Sequence, residues 1–431
     1  MKRLLLMLLC LSLIGGGSMA ESLPNVKDLQ AREEWPELMR FSDGRKVETL
    51  SDWQARRKEL LQLYGHYMYG YMPDAAEEEL SYAIDRAKSK MTVTVRHGGE
   101  EASFTVLLTL PEKAEQPVPC FIEYMWKMGG TFAPSPNAQI AAARGYAAIS
   151  YDPLEVAMDN NLHLGAYYTL YPYSIWPKDQ NGVLLSWAWG VSKVIDALEQ
   201  GAGKELGIDP TMCMVAGVSR FGKSAAVAGA YDERIRVTIP ACSGAGGVAV
   251  YRTDNHGKTY DLRSLGGEEN WRNTSINEPF DNLRGGEGYW FCQNFRLMKG
   301  VEYLPVEQYM LCALAAGADR HMIIVTGITS EGWNNTEGQC LAYTASQPVW
   351  DLLGAGDQNN MIIHLDGHAI LPSDMQYILD YCDAHLLGKK DVKSDLRQMK
   401  GNLFLVENRD RLGEEFDLFQ PQIDSILRYA D

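Results

Sequence analysis

Apolar and polar positions along this chain fall into two regimes. Short alternating runs occupy residues 79–84, 91–96 and 103–110. Alternation with period two predicts strands that bury one face, and His97-Gly98-Gly99-Glu100 between the last two runs is a hairpin signal. From residue 118 the runs become continuously apolar, at 118–124, 146–151, 212–218, 237–240, 321–328 and 360–364, and read as strands buried on both faces. Stretches of helical period separate them, at 137–144, 184–198, 290–299, 306–316, 338–353 and 373–387. Strands alternating with helices over roughly 250 residues predict a mostly parallel, doubly wound central sheet entered through antiparallel strands. Residues 22–75 read as polar and helical, with a helix opening at Leu50-Ser51-Asp52-Trp53.

One stretch breaks the alternation. Residues 243–289 are rich in Gly, Asn and Arg and show no period. A long irregular segment inside a folded domain is usually an active-site lid or binding loop. No linker, repeat or low-complexity segment interrupts the rest, which predicts a single domain over 21–431.

The first twenty residues change the picture of location. Lys2 and Arg3 precede an apolar stretch over 4–14, and Ser18-Met19-Ala20 offers a small-x-small cleavage site. This is a signal-peptide pattern, too short to span a bilayer, and no later apolar run is long enough. The expectation is an exported protein, periplasmic or extracellular, with no membrane span. Its removal takes the formal charge from −16 to about −18. That acidity, with no Lys/Arg run beyond Arg56-Arg57-Lys58, excludes nucleic acid as a partner class. The cysteines show no zinc spacing and no disulfide framework; Cys120, Cys213, Cys312 and Cys340 sit in apolar runs as core residues. No metal or cofactor is expected.

The chemistry centres on residues 211–224. An apolar run ends in Gly217-Val218-Ser219-Arg220-Phe221-Gly222, and small residues follow in helical register. A buried strand turning sharply into a helix, with Ser at the turn, is the nucleophile elbow of α/β-hydrolases. The usual pattern is G-x-S-x-G; here Phe221 occupies the second glycine position and Gly222 comes one place later. Alone, these letters describe a turn. Chain order adds the test, because in this fold the acid and then the His follow the Ser, each after a sheet strand. Glu331 follows the 321–328 run and His368 follows the 360–364 run, in that order. A Ser hydroxyl becomes a nucleophile when an imidazole takes its proton and a carboxylate holds the ring. Asp366 lies too near His368 to reach across and orient it, and His364 reads as structural. Arg220 puts a cation where an oxyanion would develop. Lys223, one helical turn on, should project near the pocket entrance.

The Gly217-Val218-Ser219-Arg220-Phe221-Gly222-Lys223 run resembles the G-x-S-R-x-G-K signature of glucuronoyl esterases, carbohydrate esterase family 15. The likeness extends through Trp53 to Pro73, Trp187-Ala188-Trp189-Gly190, Ser243-Gly244-Ala245-Gly246-Gly247, Tyr289-Trp290-Phe291 and Gly367-His368-Ala369. It implies an α/β-hydrolase fold, a three-layer sandwich without metal. It further implies hydrolysis of esters that link 4-O-methyl-glucuronic acid on xylan to lignin alcohols, with glucuronoxylan or a lignin–carbohydrate ester as the partner. By position it implies Ser219 as nucleophile, His368 as base and Arg220 as oxyanion stabiliser, with Lys223 and Trp333 on the sugar. A lid acid should join them, Glu268 or Glu269, with Arg272 nearby. Many family members carry the triad acid just before the Ser-Gly-x-Gly-Gly block, where this chain has Cys242. Others carry it two residues before a Trp, which Glu331-Gly332-Trp333 matches, so resemblance and chain order select Glu331. Two other readings are an acetyl xylan or general carboxylesterase, and a carbohydrate-binding protein whose triad has decayed.

Overall fold

The structure is a computed structural model that describes residues 23–113, 115, 117–125, 133–174, 180–253, 259–260, 271–272, 277–329, 332–392, 405–413 and 417. Nine strands form one mixed sheet. They are β1 (Glu79–Asp85), β2 (Lys90–His97), β3 (Glu100–Thr109), β4 (Val118–Tyr124), β5 (Ala147–Tyr151), β6 (Ile208–Val218), β7 (Ile235–Ala241), β8 (His321–Thr329) and β9 (Asn359–Asp366). Their spatial order is β1-β2-β3-β5-β4-β6-β7-β8-β9. The pairs β1/β2, β2/β3 and β3/β5 are antiparallel, and every pair from β5/β4 to β8/β9 is parallel. The hairpin falls where the glycines put it: His97 pairs with Glu100, and Gly98 and Gly99 turn the chain at φ 59° and 91°.

Burial follows the two regimes of the sequence. On β2, Met91, Val93 and Val95 point inward and their neighbours do not, whereas all of β4 is buried. Successive side chains of β4 and β6 serve opposite faces. Cys120, Ile122, Cys213 and Val215 pack with α3 (Val183–Ala197), α4 (Arg220–Tyr231), α5 (Gln308–Leu314) and α6 (Thr336–Leu352). Phe121, Met214 and Ala216 pack with α2 (Pro136–Ala143) and α7 (Pro372–His385) on the other face. The result is the three-layer α/β arrangement expected. All seven described cysteines are buried thiols without disulfides.

Two expectations fail. Residues 23–49 are not helical beyond one short turn at Val26–Asp28; the helix there is α1 (Leu50–Tyr67), capped by Thr49 through a reciprocal bond with Asp52. The helix expected over 290–299 is broken into a 3₁₀ turn, Gly288–Trp290, and one helical turn, Gln293–Arg296. The cause is tertiary: the Cys292 N–H donates to Met68 O, so the chain there is fixed to the end of α1 rather than to its own preceding turn.

The β6–α4 junction explains the displaced glycine. Ser219 sits at φ 62° and ψ −129°, and its N–H donates to Ala241 O at 2.9 Å. A Cβ on Gly222 would lie 2.5 Å from that same oxygen, and one on Gly217 would lie 2.3 Å from Phe221 O. The sharp turn therefore needs Gly at 217 and 222, while Phe221 is buried against Trp187 and Tyr124. Replacing Gly222 by Ala should destabilise the protein by about 1–3 kcal/mol, the usual cost of overpacking against backbone. A lowered urea midpoint at unchanged slope is the expected readout.

Candidate active site

The site residues gather at the carboxyl ends of the parallel strands, where open α/β sheets bind ligands. Ser219 occupies the tip of the elbow, in a backbone region that a non-glycine residue enters at a cost of about 1–3 kcal/mol. His368 follows β9 and is exposed. Its Nδ1 lies 3.0 Å from the side-chain amide nitrogen of Asn334, a buried residue of the 3₁₀ turn Gly332–Asn334 that follows β8. Glu331 itself lies outside the described residues, as do Glu268 and Glu269, and nothing is described of the side chain of Arg272. His364 is structural as expected: its ring nitrogens pair at 2.9 Å with Asp374 Oδ2 and with Gly367 O.

Arg220 opens α4. Its Nη1 donates to Asp159 Oδ2 at 2.5 Å, and its guanidinium lies 5.0 Å from the centre of the Trp290 ring. The same carboxylate accepts from Trp290 Nε1 at 2.7 Å and from Tyr289 OH at 3.2 Å.

Lys223 departs from its expected place. It is not at the pocket entrance but 3% exposed, and all three ammonium protons are engaged. Nζ donates to Glu278 Oε2 at 2.5 Å, Ser243 O at 2.7 Å and Ala245 O at 2.6 Å. The cause is direction: a side chain in the first helical turn leans back toward the helix start, here onto the Ser-Gly-rich turn after β7. Glu278 is the acid that the sequence reading missed. Its N–H donates to Trp333 O at 2.9 Å, so the lysine, the lid acid and the Trp333 turn are joined. Trp333 remains 42% exposed, with its indole available to solvent. The one sequence signal for Glu278 was an acid before Pro279, inside a segment without period.

Glu287 adds a half-buried carboxyl facing this cluster. Burial first, and the Glu278 carboxylate second, raise its pKa above the usual carboxylate value, against the pull of Lys223 and Arg220. Cys242, one residue past β7, is buried at φ 44°, its N–H donating to Val325 O at 2.7 Å. Among the described residues no group of three or more His, Cys, Asp or Glu could hold a metal, and no helix is long and apolar enough to cross a membrane.

A serine at a strained strand–helix turn, on a mostly parallel sheet with a histidine after its last strand, places the chain in the α/β-hydrolase class. Comparison with known proteins carries this to a family. The model described as "Glucuronyl esterase, fungi" matches residues 93–354. A multidomain esterase from Ruminococcus flavefaciens is 36% identical over 403 residues, covering 92% of this chain; the chain spans 51% of that relative's length. A 4-O-methyl-glucuronoyl methylesterase from Hypocrea jecorina is 30% identical over 380 residues, 87% of this chain and 74% of the relative. Among solved structures, a carbohydrate esterase family 15 glucuronoyl esterase from Caldicellulosiruptor kristjansonii superposes with a TM-score of 0.75 at 38% identity, covering 85% of this chain and 94% of that one. The chain belongs to the glucuronoyl esterase family.

Two measurements follow from the buried charges. Glu278→Ala would leave the Lys223 ammonium buried without its counter-charge. The expected loss is about 3 kcal/mol in urea unfolding, with Glu278→Gln losing less because an acceptor oxygen stays. For Glu287 the sign is set by the folded state holding its proton more tightly than the unfolded state. Stability therefore falls as pH rises from the unfolded value near 4.5 through the higher folded value. Glu287→Gln should flatten that fall, gaining on the parent in urea midpoints as pH rises above the unfolded value near 4.5.

Proposed function

We propose that this chain is a secreted serine esterase that hydrolyses esters of 4-O-methyl-glucuronic acid, of the kind that join glucuronoxylan to lignin alcohols. The observation that supports the reading is Ser219 at its strained elbow, followed directly by Arg220, whose guanidinium is held by Asp159, in a chain of this family. Ser219 Oγ attacks the ester carbonyl while His368 takes its proton. The oxyanion forms next to Arg220, whose charge is worth most where negative charge develops. Collapse expels the alcohol, which takes the proton from His368, and water then repeats the sequence on the acyl-enzyme. Glu331 is assigned as the acid that orients His368, with Asn334 beside the same ring nitrogen. The uronate sugar lies on Trp333 and the Glu278 carboxylate, which Lys223 holds in place. Residues 1–20 act as an export signal, and 21–431 form one catalytic domain.

Rates on benzyl glucuronate against p-nitrophenyl acetate test the substrate assignment; faster acetate turnover would replace it with a general carboxylesterase. Ser219→Ala should abolish turnover by more than about 10³-fold, and Glu331→Ala should cost about 10⁴-fold in kcat, as removal of the orienting carboxylate does in triads. Near-parental kcat in Glu331→Ala would reassign the acid. Unchanged behaviour of Ser219→Ala in every assay would instead mean a binding protein.

A further inference from the structure

An arginine that stabilises an oxyanion must hold its charge at one point, yet its side chain carries about 2 kcal/mol of rotamer entropy. The structure contains a device that fixes it. Asp159 comes from a segment 61 residues earlier, between the short helices Pro153–Val156 and Ala166–Leu170, and meets Arg220 at 2.5 Å. The segment is closed on itself by the Met158 N–H, which donates to Leu164 O at 2.9 Å. Asp159 is in turn fixed by two donors from one 3₁₀ turn, Trp290 Nε1 and Tyr289 OH, and the Trp290 ring also lies against the guanidinium. The pair is sheltered, with side-chain exposures of 32% for Arg220 and 14% for Asp159. Carboxylate, indole and guanidinium thus lock one another.

We propose that Asp159 is a positioning residue for Arg220: it fixes the guanidinium in one place against the Trp290 ring and does not itself touch the substrate. This rests on the reading of Arg220 as oxyanion stabiliser. Two effects oppose each other, since a carboxylate fixes the cation and also weakens its field. The proposal is that placement outweighs screening, because preorganised charge is what an oxyanion site supplies.

The test is a double-mutant cycle on kcat and KM for benzyl glucuronate. Asp159→Asn keeps the side-chain shape and an acceptor for Trp290 Nε1 while removing the charge. It should lower kcat about tenfold with KM within about twofold. Arg220→Ala should lower kcat by about 10² or more. In the Arg220→Ala background, Asp159→Asn should change kcat less than about twofold. Equal losses in both backgrounds would mean that Asp159 acts through the Tyr289–Trp290 turn; the positioning role would then be overturned and the Arg220 reading would stand. A parental or higher kcat in Asp159→Asn would overturn it by showing that screening wins. An Arg220→Ala loss below about tenfold would overturn the Arg220 reading, and the inference with it. Should the amide variant fold poorly by thermal melting, Asp159→Ser serves the same cycle.

Discussion

The hydrogen bond from Ser219 N–H to Ala241 O is the constraint on which the site depends. It ties the tip of the elbow to the end of the neighbouring strand and so holds Ser219 in a conformation that a free chain avoids. The close approach of Gly222 to the same oxygen brings α4 down onto the end of β7. With α4 seated, Arg220 and Lys223 leave its first turn and both come to the Trp290 ring, 5.0 and 5.7 Å from its centre. One backbone bond therefore sets the angle of the helix and the directions of two cations.

Those cations are treated differently by their surroundings. Lys223 is buried and fully used by two carbonyls and Glu278. It is joined to the Trp333 turn, because Glu278 carries the backbone bond to Trp333. Such a buried pair is weak evidence for stability but strong evidence that its partners sit in one arrangement. Arg220 is partly exposed, with the Asp159 carboxylate and the Trp290 ring among its contacts. The lysine is a buried tie, and the arginine is the more exposed of the two.

How much of this the sequence carried depended on period. Residues 118–124 and the end of β6 could be read because strands buried on both faces are continuous apolar runs, and the order of Ser219 and His368 followed from them. Asp159 and Glu278 could not be read, since each lies in irregular chain, 61 and 55 residues from its cation, where no repeat marks a contact. The failed helix over 290–299 has the same origin. Its residues have helical character, but the bond from Cys292 to Met68 and the placement of Trp290 under two cations override local preference. Lys223 was expected near a pocket entrance and is buried instead, because the carbonyls of Ser243 and Ala245 and the Glu278 carboxylate, distant in sequence, take its three protons.

The acid partner of His368 is where sequence and geometry have to be combined. The place after β7 where family resemblance expects a carboxylate holds Cys242, buried and turned to φ 44° by its bond to Val325. A thiol in apolar surroundings gives an imidazolium no permanent negative charge, because burial favours its neutral form. For the triad proposed above, the acid then has to be sought at another strand end. The segment after β8 is adjacent in the sheet, since β8 pairs with both β7 and β9. Its last described turn already brings Asn334 to 3.0 Å from Nδ1 of His368. An amide nitrogen can only donate to an unprotonated Nδ1, which leaves the ring proton on Nε2, whereas the proposed base needs Nδ1–H donated to a carboxylate and Nε2 free. Glu331 is three residues before Asn334, on the same short connection between β8 and α6. An acid at the end of β8 rather than β7, as proposed for Glu331, would still precede the histidine in chain order.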